Sequence, residues 1–167
     1  MAQPKPENQN SSRALIGGFY IAGSDGKKKK KVKPELFDAK AQEIANRFYK
    51  ETINKFNQKP VLVGVSGTQL RRVFDEVKRF DYLLQLDSES WDAQLPYIKM
   101  IKSKIRYTIA RMTRNEKKQD VLDCYAALSS FLTEGIDAIQ EQQDYEVFLA
   151  LFEAVYGFYY EHAPNRS

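Results

Sequence analysis

Cysteine and histidine each occur only once in the 167 residues, as Cys124 and His162. A single cysteine excludes a disulfide within the chain and any zinc site built from cysteines. A single histidine excludes histidine-paired metal chemistry and leaves one candidate base for a Ser–His or Cys–His pair. We therefore expect no metal, no cofactor and no catalytic residues, with Cys124 as a small core residue on the inward face of a helix.

The motifs of the common enzyme classes are also missing. The sequence has no phosphate-binding loop, nucleophile elbow or His-Glu-x-x-His zinc motif. The segment 64–67 resembles the nucleophile elbow but is one residue short of it. Asp87, Glu89 and Asp92 could hold a hard cation, although three carboxylates on a loop are more often simply solvated. We expect a protein that is not an enzyme.

Long apolar runs are absent as well. No run of about 18 apolar residues occurs, so we expect no transmembrane helix. The first twelve residues are polar and lack the apolar core of a signal peptide. We expect a cytoplasmic protein without membrane contact, whose apolar content of 43% suffices for the core of one domain.

Charge is abundant and is divided unevenly along the chain. Residues 1–115 contain 23 Lys/Arg and 12 Asp/Glu, whereas residues 116–167 contain 3 and 10, which gives net charges of +11 and −7. This asymmetry favours a polyanion as the partner of the first part. Chance segregation of charge on solvated helices is the alternative.

Residues 1–33 are predicted to form a flexible, basic N-terminal segment. Its apolar patch at 14–22 contains two glycines and could dock onto the body of the protein or onto a partner. The lysine run at 27–31 places five ammonium groups side by side, which repel one another and resist folding. The run is either a solubilising linker or an arm that grips phosphates.

From Pro34 onward, apolar residues recur at helical spacing. Ser66 and Gln69 form a capping-box pattern at the start of one helix. No alternating strand pattern stands out, so we predict an all-α, compact bundle of about five helices for residues 34–163. The predicted helices are 34–56, 67–86, 94–112, 116–140 and 143–161. The last is apolar nearly all round, which predicts either a central position or a second face for a partner subunit.

The predicted helix 94–112 concentrates positive charge. Between Leu95 and Arg114 lie six basic residues and no acidic one, although structural helices usually interleave acids three or four residues away. Unpaired cations beside an aromatic residue suit a nucleic-acid backbone that is bound without base recognition. On the preceding helix, acids at 75 and 76 can pair with the basic residues. This reasoning alone contributes four candidate nucleic-acid-binding residues, Lys78, Arg79, Lys99 and Arg106.

Two segments in this order resemble a known family. Residues 67–77, GTQLRRVFDEV, resemble a helix opening of the form (S/T)-(S/T)-Q-(I/L)-R-(K/R)-x-(F/Y), and residues 95–111, LPYIKMIKSKIRYTIAR, resemble K-x-x-K-x-K-hydrophobic-x-Y-x-x-(A/G)-R. Both are signatures of the small subunit of type III-A CRISPR effectors, the Csm complex. The resemblance covers residues 35–161, including the late helix around 152–156.

The resemblance implies a non-catalytic RNA-binding subunit that serves antiviral defence. Several copies would stack along the backbone subunits that hold the CRISPR RNA and would line the groove where target RNA pairs with that guide. Cleavage would belong to the backbone and large subunits. The RNA-binding residues that it implies are Arg71, Lys102, Lys104, Tyr107 and Arg111. The alternative is a helical protein–protein adaptor without direct RNA contact, and the salt dependence of RNA binding separates the two.

Overall fold

Five α-helices and one β-hairpin make up the fold, in a computed structural model that describes residues 14–23, 30–86 and 90–162. A π-helical segment, Leu36–Lys40, leads into the short helix α1. The ranges are α1 (Ala41–Ala45), β1 (Tyr49–Ile53), β2 (Pro60–Gly64), α2 (Gly67–Leu86), α3 (Trp91–Thr113), α4 (Gln119–Asp137) and α5 (Gln142–His162). The predicted all-α bundle is confirmed, with a small two-stranded sheet added to it.

Helix α5 is the centre of the core. It packs against α1, α2 and α4, while α3 lies against α2 and α4 on the other side. Its aromatic rings form a continuous cluster, with Phe152 centred 5.4 Å from Phe131 of α4 and 5.2 Å from Phe74 of α2. The apolar pattern of the last predicted helix is therefore explained by burial on several sides. Among the described helices, none is long and apolar enough to cross a membrane.

The predicted helix 34–56 is wrong in its second half, where the chain forms the hairpin of β1 and β2. The strands pair antiparallel, with Tyr49 opposite Gly64 and Ile53 opposite Pro60. Side chains hold the turn, because Asn54 accepts the Phe56 N–H at 2.9 Å. Gly64 is required by its φ of 146° and because a Cβ there would lie 2.3 Å from the Phe48 carbonyl oxygen.

Local pairing explains this difference from the prediction. The β-branched and apolar residues of 60–64 lie one short turn from those of 49–53, so two strands form with little loop entropy to overcome. An asparagine-containing turn between two such runs is a hairpin signal. The apolar residues from Leu36 to Phe56 also fit helical spacing, which is why the sequence predicts a helix there.

The other helices match the prediction with shifted ends. Helix α2 has the predicted bounds, and Ser66 Oγ accepts the Gln69 N–H at 3.3 Å, which is one half of the capping box. The Ser66 N–H donates to the Tyr125 hydroxyl at 3.4 Å rather than to the Gln69 side chain. Helix α3 begins three residues before 94, so Pro96 lies inside it rather than at its start. Helix α4 begins at Gln119 rather than at the predicted residue 116. The Glu116 carboxylate accepts the backbone N–H groups of Lys117 and Lys118, which precede the helix.

The apolar patch before residue 23 docks onto the body. Leu15, Ile16 and Phe19 are buried, and the ring of Phe19 stacks on that of Phe148 at 6.4 Å. A bridge between Tyr20 and Val32 joins this patch to the chain leading into the body. Most of the lysine run lies outside the described residues. The flexibility of residues 1–33, and the division of the chain at 33, stay predictions.

Asp144 joins the N-terminal segment to the start of α5. Its carboxylate is 2% exposed and accepts the Tyr20 hydroxyl at 2.6 Å. It also accepts the N–H groups of Gln140 and Glu141 at 3.0 and 2.9 Å, which caps the helix. Burial alone would raise the pKa of Asp144, but these hydrogen bonds and the ammonium group of Lys30 outweigh it and hold the pKa below its ordinary value.

Substituting Gly135 with alanine tests the packing of α4 on α5. Helix propensity alone favours alanine by about 1 kcal/mol, but a Cβ at 135 would lie 2.0 Å from Cε2 of Phe148. We expect Gly135→Ala to lower the free energy of unfolding by about 1–2 kcal/mol, since overpacking a core costs about 1–3 kcal/mol. The control is Gly157→Ala on α5, where no atom lies within 4 Å of the new Cβ. That variant should raise stability by about 0.5–1 kcal/mol. Urea denaturation measures both, and a stabilised Gly135→Ala would contradict the packing.

Substituting Asp144 with asparagine tests the buried carboxylate. We expect Asp144→Asn to cost about 1–3 kcal/mol of unfolding free energy at pH 7, because charge-assisted hydrogen bonds are lost. A carboxyl whose pKa is lowered by folding stabilises the protein above its unfolded pKa, and this contribution is lost as the pH falls through the folded pKa. The difference between wild type and variant should therefore shrink below about pH 4, near the ordinary value of 3.8. Urea midpoints from pH 7 to 2.5 measure it. A gap that is constant with pH would show that the charge of Asp144 contributes nothing.

Candidate nucleic-acid interface

The cations of α3 lie on two flanks of the helix. At 100° per residue, Lys104 and Arg111 face α2, whereas Lys99, Lys102 and Arg106 face α4. The structure bears this out, since Lys104 contacts a carboxylate of α2 and Lys102 contacts one of α4. The candidates on α3 therefore belong to two separate surfaces, with the outward face of the helix between them.

A groove of about 720 Å³ separates α2 from α3. Three cationic side chains line it, Arg72 from α2 and Lys104 and Arg111 from α3. Tyr107 lies at its edge and is 67% exposed. We call these four residues the α2–α3 site. They bring together two arginines, a lysine and an aromatic ring on an open surface.

Glu76 is the acidic residue of this groove, and it is already engaged. Its carboxylate accepts the Lys104 ammonium group at 3.0 Å and lies 3.5 Å from the guanidinium group of Arg79. Within the described part of the chain, no carboxylate lies within 4 Å of Arg72 or Arg111. Two guanidinium groups therefore face the groove without a charge partner.

The expectation that the α3 cations are unpaired is wrong for three of them. Lys104 pairs with Glu76, Lys102 pairs with Asp137 of α4 at 2.5 Å, and Lys99 donates to the Ile136 carbonyl at 2.7 Å. Helical spacing reveals only partners on the same helix, and these partners come from neighbouring helices. The unpaired character holds for Arg106 and Arg111 among the described residues.

Lys99 has a structural position. Its ammonium group donates to a carbonyl in the last turn of α4, where helices have unsatisfied acceptors. Burial lowers the pKa of Lys99, and the nearby carboxylate of Asp137 partly opposes that shift. A lysine held in this way ties α3 to the end of α4.

The candidates on α2 divide in the same manner. Arg79 stands beside Glu76 on the flank of the α2–α3 site. Arg71 instead lies 3.8 Å from Asp75, and the Lys78 ammonium group lies over the ring of Phe74, away from α3. The structure thus brings Lys104, Tyr107 and Arg111 together, with Arg79 nearby, and places the other candidates elsewhere.

Sequence reasoning left Arg72 out of its candidate list. Arg72 lies on α2, where the acids at 75 and 76 make ion pairing the simpler interpretation of the basic residues. The spacing of 72, 76 and 79 along one flank of α2 is the signal that places it opposite Lys104. Arg72 joins the α2–α3 site for this reason.

Metal ligands are not grouped in the described part of the chain, where no cluster of three His, Cys, Asp or Glu residues could hold an ion. Asp87 and Glu89 of the acidic segment lie outside the described residues. Cys124 is fully buried, and burial raises the pKa of its thiol. Cys124 is therefore a core residue, as predicted. His162 is exposed at the end of α5.

Comparison with known families places the chain. A family model, Csm2 Type III-A, matches residues 31–164. The chain belongs to this family. It is therefore a small subunit of the type III-A CRISPR complex and assembles with other Csm subunits, and Csm2 is a structural, generally non-catalytic component. The resemblance found in the sequence motifs is confirmed. No curated protein and no solved structure matches the chain.

Alanine substitutions at Lys99 and Lys104 compare how much each flank of α3 contributes to the stability of this Csm2 protein. We expect Lys99→Ala to lower the unfolding free energy by about 1–3 kcal/mol, because a charge-assisted hydrogen bond to α4 is lost. Lys104→Ala should cost less than about 1 kcal/mol, as is usual for an exposed ion pair. Thermal melting of both variants measures this. Equal losses would show that Lys99 carries no special structural role.

Proposed function

We propose that this Csm2 subunit binds RNA through the phosphate backbone and lines the groove in which target RNA pairs with the CRISPR RNA. In this role it stabilises target binding during antiviral defence. Its partners are the two RNAs, the backbone and large subunits, and further copies of itself in the cytoplasm. The chain itself supplies binding and no cleavage. The observation that carries the proposal is the α2–α3 site.

The chemistry of the α2–α3 site suits phosphates. A guanidinium group presents a planar set of donors that matches two phosphate oxygens, and Arg72 and Arg111 have no competing carboxylate within 4 Å among the described residues. Glu76, the groove's acid, is neutralised by Lys104 and Arg79. Contacts from cations to phosphates support binding that is independent of sequence, with specificity left to guide pairing.

Tyr107 adds a second element. Its ring lies beside the cations and is 67% exposed, so it is not part of the hydrophobic core. An exposed aromatic ring next to a cationic groove offers a surface on which an unpaired base can stack. The combination favours RNA over an acidic protein as the ligand of this groove.

The protein–protein adaptor is the competing function. Its main support in the sequence was the apolar last helix, which the structure places in the core: Phe148, Leu151, Phe152, Val155 and Tyr159 are all buried. That helix therefore needs no partner to explain its composition. If charge reversal in the α2–α3 site left RNA binding unaffected, the adaptor without RNA contact would be the better conclusion.

Reversing the charges of the α2–α3 site tests the proposal. We expect the triple variant Arg72→Glu, Lys104→Glu, Arg111→Glu to bind a labelled single-stranded RNA at least tenfold more weakly, to similar extents for unrelated sequences. The slope of log K against log salt should fall by about 1.4, since Arg72 and Arg111 each lose a phosphate contact worth about 0.7, whereas Lys104 is already paired with Glu76. Fluorescence anisotropy at several salt concentrations measures both quantities.

The matched control carries the same change of charge elsewhere. Lys55→Glu, Lys59→Glu and Lys117→Glu alter three exposed lysines on the hairpin and on the loop after α3. This control should retain most of the RNA affinity, and a melting curve should show that both variants are folded. Wild-type affinity and salt slope in a folded α2–α3 variant would refute the proposal.

A further inference from the structure

A second groove, of about 510 Å³, lies on the other flank of α3, between α3 and α4. It is lined by Arg106 of α3, by Arg47 after α1, and by Ser129, Ser130 and Thr133 of α4. We call these five residues the α3–α4 site. Ala14 and Leu15 of the docked N-terminal segment line its edge.

The two carboxylates at this groove are engaged by other groups. Glu134 accepts the backbone N–H groups of Leu15, Ile16 and Gly17 at 2.8–3.1 Å, so both of its oxygens face the N-terminal segment. Asp123 accepts the Lys50 ammonium group at 3.1 Å and the Gln119 amide at 2.8 Å. These hydrogen bonds also lower the pKa of Asp123, so it stays ionised and bound to them.

The groups that remain are donors. Within the described part of the chain, neither Arg47 nor Arg106 has a carboxylate within 4 Å. The hydroxyls of Ser129, Ser130 and Thr133 likewise form no hydrogen bond with a described residue. By contrast, hydroxyls on α3 do find acceptors, as Thr108 and Thr113 donate to carbonyls one turn earlier at 2.9 and 2.8 Å.

We propose that the α3–α4 site is a second binding site for a phosphodiester group of single-stranded RNA, separate from the α2–α3 site. The identification of the ligand as RNA depends on the proposed function, whereas the site itself is inferred from its own hydrogen-bond donors. Two guanidinium groups supply charge and forked geometry, and the hydroxyls donate to the remaining phosphate oxygens. Among the residues that the structure describes, no free carboxylate in this groove competes with phosphate for the arginines.

The N-terminal segment is part of this site. Its three N–H groups occupy Glu134, which would otherwise be available to the arginines. Residues 14–17 precede the part of the chain that matches the Csm2 family model, which begins at 31. The neutralisation of Glu134 is therefore supplied by a segment outside that match.

Tyr107 is the residue of the α2–α3 site that lies on the side of the α3–α4 site. At 100° per residue, it points outward between the flank of Lys104 and Arg111 and the flank of Arg106. One RNA strand that crosses α3 would contact the first groove, the exposed ring and the second groove in turn. Phosphate contacts on both flanks would then contribute to one binding event.

The double variant Arg47→Gln, Arg106→Gln tests the second site. Both side chains are exposed, so the fold should be retained. With a labelled 20-nucleotide oligouridylate, we expect the affinity to fall at least fivefold and the salt slope to fall by about 1.4, for two phosphate contacts. The control is Lys117→Gln, Lys118→Gln, which removes the same charge from the loop after α3 and should bind as wild type does.

A second variant approaches the site from the opposite direction. Ser130→Asp places a carboxylate in the groove, where it can pair with the arginines and repel phosphate. It should weaken RNA binding as the double variant does, although it removes no cation. Melting curves accompany both variants, and wild-type RNA binding by both folded variants overturns the inference.

The outcomes separate this inference from the proposed function. If only the α2–α3 charge reversal weakens RNA binding, the second site is refuted and the proposed function stands. If neither set weakens it, both are refuted. Titration with inorganic phosphate distinguishes the source of the ligand. Two results together would indicate a free-phosphate site and overturn the assignment to RNA. Inorganic phosphate at a few millimolar would displace RNA from the wild-type protein, and the double variant would show the wild-type salt slope for RNA binding.

Discussion

The ring of Phe148 lies directly against the backbone of α4 at Gly135, and this contact sets how closely α4 approaches α5. A side chain at 135 would collide with the ring, so glycine permits the close approach of α4 to α5. The same ring stacks on Phe19, which secures the N-terminal segment. Helix α4 is thereby fixed with one face in the core and the other toward α3, and that second face carries Asp137, Glu134 and the hydroxyls of the α3–α4 site.

The uneven charge of the sequence takes on a more specific meaning in the structure. The acidic C-terminal part does not simply repel a polyanion, because Asp137 and Asp123 engage lysines from α3 and β1. On α2, Glu76 does the same for Lys104 and Arg79. Among the described residues, the cations that line the two grooves beside α3 and have no carboxylate within 4 Å are arginines, at positions 47, 72, 106 and 111. Exposed ion pairs contribute little stability, so their main consequence is to determine which cations stay available to a ligand.

Most of the fold and part of the candidate site could be predicted from the sequence. Helix α2 was predicted to the residue, because its apolar stripe and its capping box agree. The hairpin was missed, because Phe48 and Ile53 also fit a helical period and strand pairing depends on residues beyond the window being read. The two flanks of α3 follow from spacing alone, whereas the partners of Lys99 and Lys102 come from α4, 35 to 37 residues away. Contacts of that range depend on the packing of helices, which periodicity does not specify.

The paired lysines and the unpaired arginines of α3 have complementary roles. Lys99 and Lys102 attach the helix to the end of α4, and Lys104 attaches it to α2. The buried isoleucines of α3 and the Lys99 hydrogen bond hold the helix in place, so Arg106, Tyr107 and Arg111 stand on a fixed backbone. Binding then requires ordering of the arginine side chains but not of the backbone, which reduces the entropic cost of association. In the proposed function, the pairing of the lysines leaves the arginines as the cations that a phosphate can reach.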